Sequence, residues 1–139
     1  LTVLRDGLQP ITTHYEQRDF ARALRDIMLL ADRVNEYVDA NKPWELAKQA
    51  GTEQALHRIL STTLRCFARL SIYLKPILPV TVARVESEVF GLTKAFDWTE
   101  LDRPPVQSVG EFGHLLTRVD RDAIDALIEA NRSSLQTSQ

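Results

Sequence analysis

The sequence predicts an all-α protein, a bundle of packed helices, and three observations predict it. Apolar residues recur at three- and four-residue spacings over long stretches, which is the period of a buried helical face. Nothing alternates with a period of two for long enough to require a sheet, and no internal repeat is present. Proline and glycine fall mostly between the periodic stretches rather than inside them. The 139 residues, 44% of them apolar and 26% charged, suit one domain with one core. That domain is taken as 1–139, with 1–18 its least determined part and 133–139 a tail expected to fray.

In residues 1–18, Leu4, Leu8 and Ile11 have helical spacing, while Gly7 and Pro10 should weaken or kink the helix. Residues 19 to 40 place Phe20, Leu24, Ile27, Ala31, Val34 and Val38 on one stripe, widened by Ala23, Leu30 and Tyr37. Asp19 is the expected N-cap of this central helix. Pro43 suits a first helical position because its missing N–H has no partner there, so a short helix is expected from 43 to about 50, stopped by Gly51.

Thr52 should cap the following helix, whose apolar face holds Leu56, Ile59, Leu60, Thr63, Leu64, Phe67, Leu70 and Leu74. Arg58, Arg65 and Arg69 share another face. Pro76 and Pro79 interrupt the chain, and a helix from about 79 to 90 buries Val82, Val85 and Val89 before Gly91 ends it. Residues 91–118 show no sustained period and are expected to form a surface connection with short turns, anchored by Phe96 and Trp98. Asp120 should cap a last helix that docks Ile124, Leu127 and Ile128 on the core.

The residues offer little chemistry of their own. His14, His57 and His114 are far apart, and the single Cys66 excludes an internal disulfide and a thiolate cluster, so no metal site is expected. Cys66 lies among apolar neighbours and is read as a small buried side chain. No Gly-rich phosphate loop, Gly-x-Ser-x-Gly elbow or His-Glu-x-x-His helix is present, so no catalytic residue is assigned. No apolar run is long enough to span a membrane, and no basic region followed by an apolar stretch resembles a secretory signal. A net charge of −2 argues against coating nucleic acid by bulk positive charge but leaves room for a local RNA site. The arginine stripe is read first as a solvated face and second as a source of phosphate contacts.

Trp44 is the most informative residue. Following a helix-starting Pro43, it either staples two helices together or presents a ring on which a base stacks. Pattern alone favours packing. Asn35, a poor helix former inside a helix, is ambiguous by itself.

The local words alter that balance. Asn35-Glu36-Tyr37-Val38-Asp39, Lys42-Pro43-Trp44-Glu45-Leu46-Ala47-Lys48 and Tyr73-Leu74-Lys75-Pro76-Ile77-Leu78-Pro79 occur in this order. Together they resemble the anticodon-binding domain of bacterial-type methionyl-tRNA synthetase, a class I aminoacyl-tRNA synthetase. The likeness runs from about 19 to 130 and includes Leu116-Thr117-Arg118-Val119-Asp120, which looks like the approach to the family's closing helix. The resemblance implies the helical bundle of that domain, with Trp44 stacking on the first anticodon base, a cytosine, Pro43 positioning the ring, and Asn35 beside it. It also implies an asparagine and an arginine, four residues apart, on a helix preceding this chain.

The implied partners are the CAU anticodon loop of a tRNA and the catalytic domain of a parent synthetase, with neither membrane nor DNA, in the cytoplasm. The parent would use ATP and magnesium to join methionine to tRNA. The His-Ile-Gly-His and Lys-Met-Ser-Lys-Ser type motifs for that step do not occur in these residues, so no cofactor is expected in this chain. Because it opens on Leu1, the chain is read as an excised domain. Two alternatives remain: a stand-alone helical adaptor that binds proteins beside Trp44, and the related domain of an isoleucyl, valyl or leucyl enzyme, which the Pro43-Trp44 word disfavours. The reading expects the Trp44 ring at least partly exposed at the bundle end beside Asn35, with Phe20, Leu24, Leu60 and Phe67 buried.

Overall fold

The computed structural model describes residues 3–111, 113–116 and 120–136, and among these every regular element is helical. The chain opens with α1 (Val3–Asp6) and α2 (Leu8–Glu16), separated at Gly7. A Cβ there would lie 2.6 Å from Leu30 Cδ1, so the Leu30 side chain packs directly over the glycine. Pro10 falls in the first turn of α2, where its missing donor is tolerated. Leu4 and Ile11 are fully buried, so the first turns belong to the core.

Helix α3 (Phe20–Asn41) starts as expected, with the Asp19 carboxylate accepting from the Arg22 backbone N–H at 3.1 Å. Its buried line is Ala23, Ile27, Leu30 and Val34. The period is the predicted one, but the phase differs: Phe20 is 53% exposed and Leu24 38%, against the expectation that both are buried. Helices α2 and α5 cover the neighbouring side of α3, leaving Phe20, Leu24 and Met28, at successive four-residue steps, toward solvent.

Helix α4 is shorter than predicted (Pro43–Leu46), and α5 (Glu53–Leu74) follows it. Thr52 precedes α5 as expected but does not cap it; its hydroxyl instead donates backward to the Leu46 and Gln49 carbonyls at 2.7 and 2.8 Å. Gly51 makes the turn at φ +82°. Burial in α5 is concentrated in its second half, from Cys66 to Tyr73. Leu60 is 44% exposed and Phe67 half-buried, contrary to the predicted burial: Leu60 lies in the half of α5 that contributes no fully buried residue, and Phe67 packs on the edge of the core against Phe90.

Helix α6 (Pro79–Arg84) runs into a π-helical turn (Val85–Val89), together filling the predicted 79–90 segment. Val82 and Val85 are buried, Val89 is half-buried, and Gly91 follows at φ +59°. The connection after it contains a single short 3₁₀ helix (Trp98–Leu101) among the described residues, with Phe96 buried and Trp98 half-buried as its anchors. Glu86 accepts from Lys75 Nζ at 2.7 Å and from the Phe96 N–H at 2.8 Å, fixing where the connection leaves the core.

Helix α7 (Arg121–Gln136) forms where predicted but does not dock as predicted. Ile124, Leu127 and Ile128 are all exposed. Its own amphipathic period is satisfied by no covering face among the described residues. Of the 116–120 word, 117–119 lie outside the described residues, as do 137–139 of the expected tail.

Candidate nucleic-acid interface

The two tryptophans have opposite environments. Trp98 meets Tyr15 and Tyr73 edge-on, with ring centroids 5.9 and 5.6 Å apart, so its ring completes an aromatic cluster packed against the core. Trp44 takes part in no aromatic contact among the described residues and is 48% exposed. At 48% exposure Trp44 leaves much of a large aromatic side chain in reach of solvent, while tryptophan is on average a well-buried residue.

The backbone explains how the ring comes to be presented. Lys42 has left-handed geometry, φ 43° and ψ 60°, and serves as both the last cap of α3 and the first of α4. Its N–H donates to Val38 O at 2.9 Å, while its carbonyl accepts from the Glu45 N–H at 2.9 Å. One residue thus turns the chain between two helices, and Pro43 at the first helical position holds the turn that follows. The sequence words mark this corner but not its left-handed residue, since a lysine before proline is ordinarily extended.

Asn41 Nδ2 donates to Tyr37 O at 2.7 Å, closing the last turn of α3. At the other end of the corner, Thr52 holds the chain after α4 against the start of α5. Trp44 therefore sits on a short helix fixed at both ends. Asn35 is exposed on α3, and no hydrogen bond among the described residues engages its amide. About six residues, or roughly 9 Å of helix axis, separate it from the corner. Pro43 is half-buried.

Of the arginine stripe, Arg58 and Arg65 are exposed, whereas Arg69 is structural. Arg69 donates through Nε to Leu101 O and through Nη2 to Asp102 O, each at 2.6 Å, clamping the 3₁₀ helix to α5. Nothing in its spacing distinguishes it from its two neighbours.

Cys66 is buried, and burial pushes its thiol pKa up, away from nucleophilic use. No group of three His, Cys, Asp or Glu side chains converges among the described residues, so none is arranged to hold a metal. Nor is any described helix long and apolar enough to cross a membrane.

Comparison with known proteins places nearly the whole chain in one family. A family model described as the anticodon-binding domain of tRNA ligase matches residues 1–137. The chain is 44% identical over 137 residues to a methionine–tRNA ligase of Ralstonia nicotianae, covering 97% of this chain and 20% of that protein. It is 50% identical over 123 residues to the enzyme of that name from Aromatoleum aromaticum, covering 87% and 17%. With that of Neisseria gonorrhoeae the identity is 46% over 129 residues, covering 92% and 19%. The chain spans about a fifth of the length of these curated relatives.

Proposed function

Because this chain belongs to the family of anticodon-binding domains of tRNA ligases, we propose that it selects tRNA as the helical domain of a methionine–tRNA ligase. Trp44 stacks on the first base of a CAU anticodon, Pro43 holds the ring at the corner, and Asn35 contributes an amide to the base edge. The observation that carries this reading is the 48% exposure of Trp44 on a helix fixed at both ends. An unstacked loop base offers a π-face and polar edges that suit such a ring and a free amide.

The remainder of the enzyme supplies the chemistry in this reading. ATP and magnesium act in a catalytic part whose signature motifs are not among these residues, and this chain contributes recognition only. The cytoplasm, where tRNA is charged, is the corresponding location.

The test is binding of this chain to an anticodon stem-loop carrying CAU and to one with the first base changed. Preference for CAU is expected, and Trp44→Ala should remove about 1–3 kcal/mol of stacking, roughly a 5- to 150-fold loss. Equal binding of both loops, unchanged by the substitution, would refute the assignment and favour the adaptor.

A further inference from the structure

Although the chain carries a net charge of −2, residues 54–85 contain no Asp or Glu. They do contain His57, Arg58, Arg65, Arg69, Lys75 and Arg84. On α5 the arginines at 58, 65 and 69 fall within one narrow sector, a line extending roughly 17 Å along the axis. Lys75 and Arg84 are paired with Glu86 and Glu88, whereas this sector of α5 carries arginines and no carboxylate of its own.

That side forms a wall of a groove. Arg65, Arg69, Asp102, Arg103, Pro104 and Gln107 are among the residues lining a 540 Å³ cleft between α5 and the connection after the 3₁₀ helix. A 200 Å³ extension continues from Arg65 to His57 and Ser61. The acidic member, Asp102, is already paired with Arg5 at 2.9 Å. Arg69 faces carbonyls rather than carboxylates, and Arg58, Arg65 and Arg103 form no ion pair among the described residues. The cleft consequently holds several guanidinium charges without local neutralisation.

The opposite wall is fixed before any ligand arrives. Arg69 clamps Leu101 and Asp102, while the Gly110 N–H donates to Val89 O at 2.7 Å. A Cβ on Gly110 would come within 2.5 Å of Glu88 O, so this close approach requires glycine. Unpaired guanidiniums along a line suit a repeating anion with forked acceptors more than a protein partner, which ordinarily needs an apolar anchor pocket.

We propose that this cleft is a second RNA contact, a track for the sugar–phosphate backbone flanking the loop that Trp44 engages. Arg65 and Arg103 are its phosphate ligands, and Arg58 extends the track toward the start of α5, where Thr52 ties the chain to Leu46 of α4. The proposal rests on the tRNA reading above for its ligand, but not on Trp44 for its affinity. Phosphate contacts supply sequence-independent binding, and base contacts supply selection.

The experiment measures binding of the 139-residue chain to a tRNA transcript with CAU and to one with the first anticodon base changed, across a salt series. Wild type, R65Q/R103Q and W44A are compared, with thermal melts confirming that each is folded; Arg69 is left intact because it holds the wall. For R65Q/R103Q the affinity should fall by about tenfold for both transcripts alike, and the log–log salt slope should decrease by roughly 1.5–2. The preference for CAU should persist in that variant. In W44A the preference should collapse while the slope is retained.

An unchanged affinity and slope in R65Q/R103Q overturns the track while leaving the Trp44 reading standing. A wild-type chain without CAU preference whose salt-dependent binding still falls in R65Q/R103Q overturns the Trp44 reading and supports the track. No binding by wild type overturns both. A poly-glutamate of matched charge that competes as well as the transcript overturns RNA as the occupant.

Discussion

The Tyr73 hydroxyl donates to the Leu4 carbonyl over 2.7 Å, joining the first turn of the chain to the far half of α5 across 69 positions. Both residues are fully buried, and the Tyr73 carbonyl in turn accepts from the Tyr15 hydroxyl at 2.6 Å. A polar pair inside an apolar core fixes which turn of α1 meets which turn of α5, because any slip leaves a buried carbonyl unpaired.

Burial raises the Tyr73 phenol from 10.0 to about 12, since the phenolate would lose its hydration. A raised value favours the neutral form in the folded state. The resulting stability is therefore complete below pH 10 and lost as pH rises through about 12. Tyr73→Phe should lower stability by about 1–3 kcal/mol at neutral pH through the orphaned Leu4 carbonyl. It should also flatten the alkaline decline, as urea unfolding followed across this pH range will show.

Arg69 clamps the 3₁₀ helix through two carbonyls. Arg69→Met keeps the stem but removes the charged donors, and should destabilise by about 1.5–3 kcal/mol. Arg69→Lys should fall between the two, since an ammonium does not reproduce the fork. Denaturation midpoints of the three proteins decide this; a neutral Arg69→Met would show that the clamp is dispensable.

Lys42 is held at φ 43°. The left-handed region costs a non-glycine residue about 1–2 kcal/mol, part of which glycine recovers after its greater unfolded-state entropy is subtracted. Lys42→Gly should thus raise stability by roughly 0.5–1 kcal/mol, and Lys42→Ile should lower it. The ordering of the three melting temperatures is the check.

Trp44 and Trp98 should be distinguishable by fluorescence quenching. A neutral quencher should reach Trp44, which is 48% exposed, far more readily than Trp98 within its tyrosine cluster. Trp44→Phe should remove the readily quenched component and leave the protected one. A single protected population in the parent chain would contradict the exposure on which the recognition reading depends.

Helical class, element order and several boundaries are legible in the residues because they follow from local rules. Asp19 caps α3 where an Asp precedes an apolar stripe, Pro43 starts α4, and Gly51 and Gly91 turn the chain at positive φ. The family words placed attention on Trp44 and Pro43 for the same reason, since they lie close together in the chain. Periodicity, however, states which residues share a helix face, not which face is covered. Phe20, Leu24 and Leu60 fit the period and are nonetheless exposed, and Ile124, Leu127 and Ile128 form a stripe on a helix that docks on nothing described.

By itself, then, the sequence determined an all-helical chain with an aromatic corner at Pro43-Trp44, through turn chemistry and apolar period acting over a few residues. Only the tertiary structure decided the roles that depend on residues far apart in the chain. It packed Trp98 against the core and left Trp44 half exposed, turned Arg69 toward the carbonyls of Leu101 and Asp102, and tied Tyr73 to Leu4. Such pairings are set by the packing of helices against one another, and side-chain type at one position carries no record of what will lie opposite.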